Sequence, residues 1–301
     1  MTSPDNDVRQ RFIFEHSDVR GEILSLQDCY QAVLSKAIYP SPIAQLIGEF
    51  IAGACLLSAT LKFDGIISLQ ASGTGPLSMI MADCSHHCEV RAVAHYKHEY
   101  FEDHQSVWNK TPYQLSDLLG ENATLSVTID PAQGERYQGL VPVENDTVGE
   151  CLSNYFKQSE QLPTKIWLHA DGQRAGGLLL QALPGDIPAI EDQQHYWQHL
   201  NHLAQTLSSA EQVQLSHVEQ LHRLFHEESL RLFTPSDIRF ACSCSRPRTE
   251  NMLIGFGLNE VNAMLAASNP IEVRCQFCHE LYRFGRGDVA SLFKQSSPML
   301  H

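Results

Sequence analysis

Four cysteines near the end of the chain constrain its folding more than any other feature. They are spaced Cys242-Ser243-Cys244, thirty intervening residues, then Cys275-Gln276-Phe277-Cys278. Two close pairs separated by a loop can bring four sulfurs to one tetrahedral centre, the arrangement in which thiolates hold structural Zn2+. A lone Cys-x-x-Cys is a weak signal, whereas two pairs in one short segment specify a site. Residues 238–301 are also too few to gather a self-sufficient core, because below about 70 residues a single core supplies only a few kcal/mol. A structural zinc contributes about 10–16 kcal/mol. The last segment is therefore expected to fold around one Zn2+ per chain, held by Cys242, Cys244, Cys275 and Cys278.

The first pair has one intervening residue where most structural zinc pairs have two to four. In an extended strand, residues two apart lie about 6.5–7 Å from each other, at the edge of disulfide reach. A bond there would need a bent, strained backbone, and strained, exposed disulfides belong to the labile, regulatory class. Zinc keeps sulfurs as thiolates, the form that attacks oxidants, and Arg246, Arg248 and Arg274 stand close by in the sequence. The spacing alone leaves a purely structural zinc and an oxidant sensor both open.

At 301 residues, 43% hydrophobic and 19% charged, the rest of the chain has the composition of a folded protein and enough length for two or three domains. Its formal charge of −14 opposes generic binding to a polyphosphate backbone. The start has no basic segment followed by an apolar one, and no run of eighteen apolar residues occurs, so a cytoplasmic protein without a membrane partner is expected. Nine cysteines, odd in number and clustered, fit a reducing compartment.

Val19–Leu26 and Phe63–Gln70 read as strands, the second led in by Lys62 and closed by the Gly73-Thr74-Gly75-Pro76 turn. Between them Pro42 opens an amphipathic helix carrying Ile43, Leu46, Ile47, Phe50, Ile51, Ala54 and Leu57. Further strands are expected at Thr124–Ile129, Tyr137–Val143, Lys165–His169 and Gly177–Leu183, with a helix at Val148–Phe156. This irregular alternation predicts an α+β core domain over residues 1–184. Gly185 and Pro188 then break the pattern. Residues 185–237 are expected to form a helical linker with a thin apolar stripe (Trp197, Leu200, Leu203, Leu207, Val218, Leu221, Leu224, Phe225), marginally stable and dependent on docking. Six of the fifteen histidines lie there, read as a solvated face. Thr234-Pro235-Ser236-Asp237 leads into the zinc domain, 238–301.

Other motifs fail on geometry. His98-Glu99-Tyr100-Phe101-Glu102 has a glutamate where a zinc-protease helix needs its second histidine. Gly73-Thr74-Gly75 and the glycines from Gly172 to Gly177 are too short for a phosphate cradle, and no Gly-x-Ser-x-Gly elbow occurs. No catalytic residue is assigned. Cys84-Ser85-His86-His87-Cys88 offers four ligands in five residues but reads first as a hairpin turn with polar side chains in solvent.

The cluster Cys242-Ser243-Cys244-Ser245-Arg246 with Cys275-Gln276-Phe277-Cys278 resembles the zinc motif of the 33-kDa heat-shock, redox-regulated chaperonins of bacteria. Similar stretches lie far outside it: Val19-Arg20-Gly21-Glu22, Thr60-Leu61-Lys62-Phe63-Asp64-Gly65, Gly134-Glu135-Arg136-Tyr137-Gln138-Gly139, Tyr155-Phe156 with Ser159-Glu160-Gln161-Leu162-Pro163-Thr164, and Leu224-Phe225-His226-Glu227-Glu228. The resemblance implies an ATP-independent holdase, inactive while reduced and zinc-bound. It implies that oxidation joins Cys242 with Cys244 and Cys275 with Cys278, expels zinc and unfolds the zinc domain and linker. Oxidised subunits would then dimerise and bind unfolding client proteins. The core cysteines Cys29, Cys55, Cys84 and Cys88 depart from the family pattern, and only Cys151 lies in a matching stretch. Two other classes stay open on the residues: a zinc ribbon that binds nucleic acid or ribosomes, since residues 238–301 hold seven Lys and Arg against five Asp and Glu, and a thiol oxidoreductase.

Overall fold

In a computed structural model of the protein, the described residues are 5–60, 64–104, 114–144, 147–184 and 190–295. The expected lead-in at Lys62 and the break at Gly185 and Pro188 lie outside them. The chain divides into two compact units, the first ending at Ala241 and the second beginning at Cys242. The α+β expectation holds: helices and antiparallel sheets share the first unit, and a small helical unit with one hairpin follows.

The first unit starts with β1 (Val8–Phe14), β2 (Val19–Leu26), α1 (Asp28–Leu34) and α2 (Ser41–Ser58). Then come β3 (Gly65–Ser72), β4 (Leu77–Ser85), β5 (Glu89–Tyr96), the short helices α3 (His98–Asp103) and α4 (Leu115–Leu119), β6 (Thr124–Pro131) and β7 (Tyr137–Pro142). Helix α5 (Val148–Tyr155), β8 (Thr164–Ala170) and β9 (Ala175–Ala182) follow. The remainder holds α6 (Ile190–Ala204), α7 (Ser209–Gln214), α8 (His217–Phe225), β10 (Leu230–Leu232), β11 (Ser236–Asp237) and β12 (Arg239–Phe240). One sheet runs β10-β1-β2-β9-β8 with β11 also on β1, and the other runs β12-β5-β4-β3-β6-β7.

Helix α2 is the hub of this unit, contacting strands of both sheets. It is long and apolar enough to cross a membrane by length and composition, but 78% of that span is buried inside the fold. The amphipathic reading of α2 is corrected here. Apolar residues and small ones alternate around it, so it is buried on nearly every face, as a helix apolar all round must be. Gly48 shows why the small residues matter: a Cβ there would sit 2.6 Å from the Ala170 Cβ and 2.8 Å from the Tyr30 ring. The C-terminal end of α2 presents carbonyls, and two arginines of β1 donate to them. Arg9 Nη1 donates to the Cys55 carbonyl at 2.9 Å, and Arg11 Nη2 donates to the Ala59 carbonyl at 2.9 Å. The buried Glu22 carboxylate balances their charge, accepting from Arg11 Nε at 2.6 Å. A strand that carries two arginines can thus pack against the end of the buried helix.

Period-two alternation gives the first sheet two apolar faces. Leu24, Leu26 and Leu179 join the core around α2, whereas Phe12, Phe14, Ile23, Leu178 and Leu180 point the other way. That second face is covered by the helices after residue 190: Leu200, Ala204, Leu221, Leu224 and Phe225 are buried on it. Phe225 stacks edge-on to Phe14 with centroids 5.2 Å apart, and Phe12 lies so close over Gly21 that a Cβ there would meet its ring at 2.0 Å. The apolar stripe is therefore docked as a layer of three helices rather than one rod. Its breaks fall at Ser208 and Ser216, each the N-cap of a capping box with Glu211 or Glu219.

The solvated-face reading of the histidines holds for His195, His199, His202, His222 and His226 but fails for His217, which is 1% exposed. Its Nε2 lies 3.1 Å from Ser25 Oγ, and its Nδ1 has no hydrogen-bond partner among the described residues. Burial lowers its pKa to about 4 against the opposing pull of Asp5. The folded layer thus holds the neutral ring, while an undocked His217 takes a proton near pH 6.5. Stability from this group is complete above pH 6.5 and is lost as the pH falls from there towards 4. Between pH 7 and 5 the helical layer should lose about 2 kcal/mol, read by hydrogen exchange of α6 to α8, and His217→Gln should flatten that dependence. Phe225→Ala should cost about 3 kcal/mol at neutral pH in the same measurement.

Candidate metal centre

The second unit is built from α9 (Arg246–Phe256), α10 (Leu258–Ala267), the hairpin β13 (Ile271–Arg274) and β14 (Leu281–Phe284), and α11 (Arg286–Gln295). Its described core is six side chains: Leu253, Val261, Leu265, Ile271, Phe284 and Val289. So small a core cannot order the segment unaided.

Two backbone devices set out the sulfurs. Cys242 and Cys244 lie on the extended stretch entering α9, which Ser245 caps by accepting from the Arg248 N–H at 3.3 Å. Cys275 and Cys278 lie in the loop of the β13–β14 hairpin. The Cys275 N–H donates to the Glu280 carbonyl at 2.9 Å, the His279 N–H donates to the Cys275 carbonyl at 3.0 Å, and His279 takes φ 62° to turn the chain back. Four side chains from two distant segments converge.

The ligand atoms of Cys242, Cys244, Cys275 and Cys278 all lie within 4.8 Å of one another. The close contacts run between the pairs, with Cys242 Sγ 3.6 Å from Cys275 Sγ and Cys244 Sγ 3.2 Å from Cys278 Sγ. Metal–sulfur bonds of about 2.3 Å in a tetrahedron place sulfurs about 3.8 Å apart, so this donor set fits a tetrahedral, thiophilic divalent cation. Burial and hydrogen bonds from the neighbouring sulfurs push Cys278 well above the usual thiol range. A bound cation reverses that balance, because a coordinating thiol is deprotonated.

The arginines fasten the scaffold. Arg246 lies over the Phe284 ring at 4.4 Å, pairs with Asp288 at 2.8 Å and donates to the Arg283 carbonyl at 3.0 Å. Arg248 holds Ser243 through its hydroxyl at 2.9 Å, and Arg274 reaches the His279 carbonyl at 3.4 Å. Sequence reasoning missed Tyr282, whose hydroxyl donates to Cys244 Sγ at 3.3 Å. No motif marks it, since the contact depends on the hairpin folding back on the first pair.

The remaining cysteines lie in the first unit, and all are buried. Cys84-Ser85-His86-His87-Cys88 does form the β4–β5 turn with both histidines exposed, but the cysteines are not in solvent. Strand alternation turns Cys84 inward, and Cys88, at φ 57°, also packs into the core. Cys84 Sγ lies 3.3 Å from Ser58 Oγ and shares a hydrogen bond with Cys55, which raises Cys55 and lowers Cys84. Among the described residues, the only cluster of three or more His, Cys, Asp or Glu able to hold a metal is the four-cysteine one.

The family model described as Hsp33 protein matches residues 7–285 of the chain. The 33 kDa chaperonin of Pseudomonas fluorescens strain SBW25 is 46% identical over 292 residues, covering 96% of this chain and 94% of that protein. The 33 kDa chaperonin of Pseudomonas aeruginosa strain LESB58 is 45% identical over 290 residues, covering 96% and 95%. Among solved structures, the 33 kDa chaperonin of Thermotoga maritima superposes with a TM-score of 0.77 at 19% identity, covering 96% of this chain and 98% of that one, a likeness of fold.

Removing the metal with a chelator under reducing conditions should unfold residues 242–295 and leave the inner core around α2 folded. Loss of the β13–β14 amide signals, with the β2–β9 pairing intact, is the expected result.

Proposed function

The chain belongs to the Hsp33 family, and from that premise we propose a redox-controlled holdase whose off state is the metal-bound second unit. Hsp33 proteins are chaperones, so the chain is a chaperone for unfolded client proteins and not an enzyme. The finer reading is our own. It assigns Zn2+ to Cys242, Cys244, Cys275 and Cys278 as one ion per chain, and residues 185–237 to a metastable linker between a core of residues 1–184 and the zinc domain, 238–301. The observation that carries it is the gathering of four half-buried sulfurs in a unit whose own core is six side chains.

Bound zinc keeps the four sulfurs as thiolates and ties the two segments together. Thiolates at the surface attack peroxide. Each disulfide takes two thiolates, one hydrogen peroxide and two protons from solvent, releasing two waters and leaving no charge for a divalent cation. The pairing Cys242 with Cys244 and Cys275 with Cys278 follows the family resemblance, although the shortest contacts of the reduced protein run between the pairs. Without the metal the second unit loses its order, and the helical layer that begins at residue 190 loses its C-terminal anchor. Its departure uncovers Phe12, Phe14, Ile23, Leu178 and Leu180, an apolar face that suits unfolding clients of many sequences. The oxidised form acts as a homodimer in the cytoplasm, with neither nucleic acid nor membrane as partner.

The test treats reduced zinc protein with peroxide under mild heat and follows zinc release, accessible thiols and suppression of a client's aggregation. All three should change together, and peptide mapping should find Cys242–Cys244 and Cys275–Cys278 linked. Retained zinc, or equal suppression before oxidation, contradicts the switch. Salt-sensitive RNA binding by the reduced form would instead support a zinc ribbon.

A further inference from the structure

Residues 229–241 run as an extended strap along the edges of both sheets of the first unit. Glu15 N–H donates to the Ser229 carbonyl at 2.9 Å, and Leu230, Arg231 and Leu232 pair antiparallel with Phe14, Ile13 and Phe12. The Phe233 N–H donates to the Arg11 carbonyl at 2.9 Å, and Ser236 and Asp237 pair with Arg9 and Val8. After Ile238, whose N–H reaches the Asp7 carbonyl at 2.7 Å, the strap crosses to the other sheet. There Arg239 and Phe240 pair parallel with Glu89 and Val90, the Arg239 N–H donating to the Cys88 carbonyl and the Ala241 N–H to the Val90 carbonyl, both at 3.0 Å. The next residue is Cys242.

The strap is held by its backbone along its whole length and by a few side chains: Leu230 packs on the outer apolar face, Phe240 on the core around α2, and Arg239 pairs with Glu89 at 2.6 Å. Leu232 and Phe233 are 37% and 41% exposed, and only Ile238 is inserted into the core. A seat filled by main-chain hydrogen bonds accepts any extended chain, because every non-proline residue carries the same donor and acceptor. Without the strap, β1 and β5 would each be the last strand of a sheet, presenting a row of unpaired N–H and C=O groups.

We propose that this strap is a built-in occupant of two strand-addition sites, and that its release on oxidation lets β1 and β5 take extended segments of unfolded client chains. The inference rests on the holdase reading and gives it a second binding surface beside the apolar face. It explains breadth of clients by backbone recognition. It also places the occupant on the chain immediately before the first metal ligand, so that loss of order in the second unit leaves the strap's end untethered.

The probe is a synthetic peptide of residues 229–241, tested on the full-length protein in its reduced zinc form and after peroxide. A matched peptide carries N-methyl groups at Phe233, Ile238, Arg239 and Ala241, four of the strap's backbone donors. The plain peptide should bind the oxidised protein and not the reduced one, and methylation should weaken binding by about tenfold or more. The Glu15 amide should exchange at least about tenfold faster after oxidation and regain protection when the peptide is added. Equal binding of the two peptides overturns the inference, as does a Glu15 amide that stays protected while aggregation of a client is suppressed. The peptide assay needs no aggregating client. Failure to suppress aggregation therefore strikes the holdase reading alone, and the peptide result still decides the edges.

Discussion

The second unit, and with it the proposed switch, depends on the mutual approach of four sulfurs. Cys242 and Cys244 belong to one stretch and Cys275 and Cys278 to another, and the six side chains of the second unit's core cannot by themselves hold those stretches together. A cation bound by four thiolates would supply the missing energy in one place. On the proposed switch, that concentration makes the unit stable while the ligands are thiolates and unstable once they are oxidised. A unit of the same size held by an ordinary apolar core would have no such dependence on redox state.

The first unit is organised the opposite way. Helix α2 is buried from nearly all sides, and the Arg9–Arg11–Glu22 group closes its end, so its inner core does not depend on the metal. The outer layer is different. Helices α6 to α8 depend on a few contacts, Phe225 with Phe14 and Phe12 foremost, and on a histidine that must stay neutral to remain buried. A rigid inner core beside a removable layer is what a chaperone needs if it is to expose apolar surface without unfolding altogether.

Much of this was legible in the sequence, for reasons that differ by element. Val19–Leu26 has the expected bounds because Val19, Ile23, Leu24 and Leu26 make it a short apolar-rich run with turns beside it. The cysteine spacing picked out the four residues whose sulfurs gather, because tetrahedral thiolate chemistry leaves few alternatives. Strand β1 was not legible, since Arg9 and Arg11 mark it as surface and only the fold brings Glu22 beneath them. Strands β4 and β5 were hidden in the same way: Asp83 is buried, answered by Arg91 at 2.7 Å across the hairpin and by Ser68. The helix breaks at Ser208 and Ser216, the burial of His217 and the Tyr282 contact with Cys244 all depend on tertiary partners that spacing does not reveal.

The central claim is that one event, the loss of the four-thiolate centre, turns the chaperone on. It is tested most directly by graded oxidation, measuring the fraction of metal released and the fraction of full aggregation suppression on the same samples. The account predicts that suppression rises only in samples that have released metal and reaches its plateau when release is complete. Suppression at full strength with the metal still bound, or complete release and disulfide formation with no suppression, would contradict it.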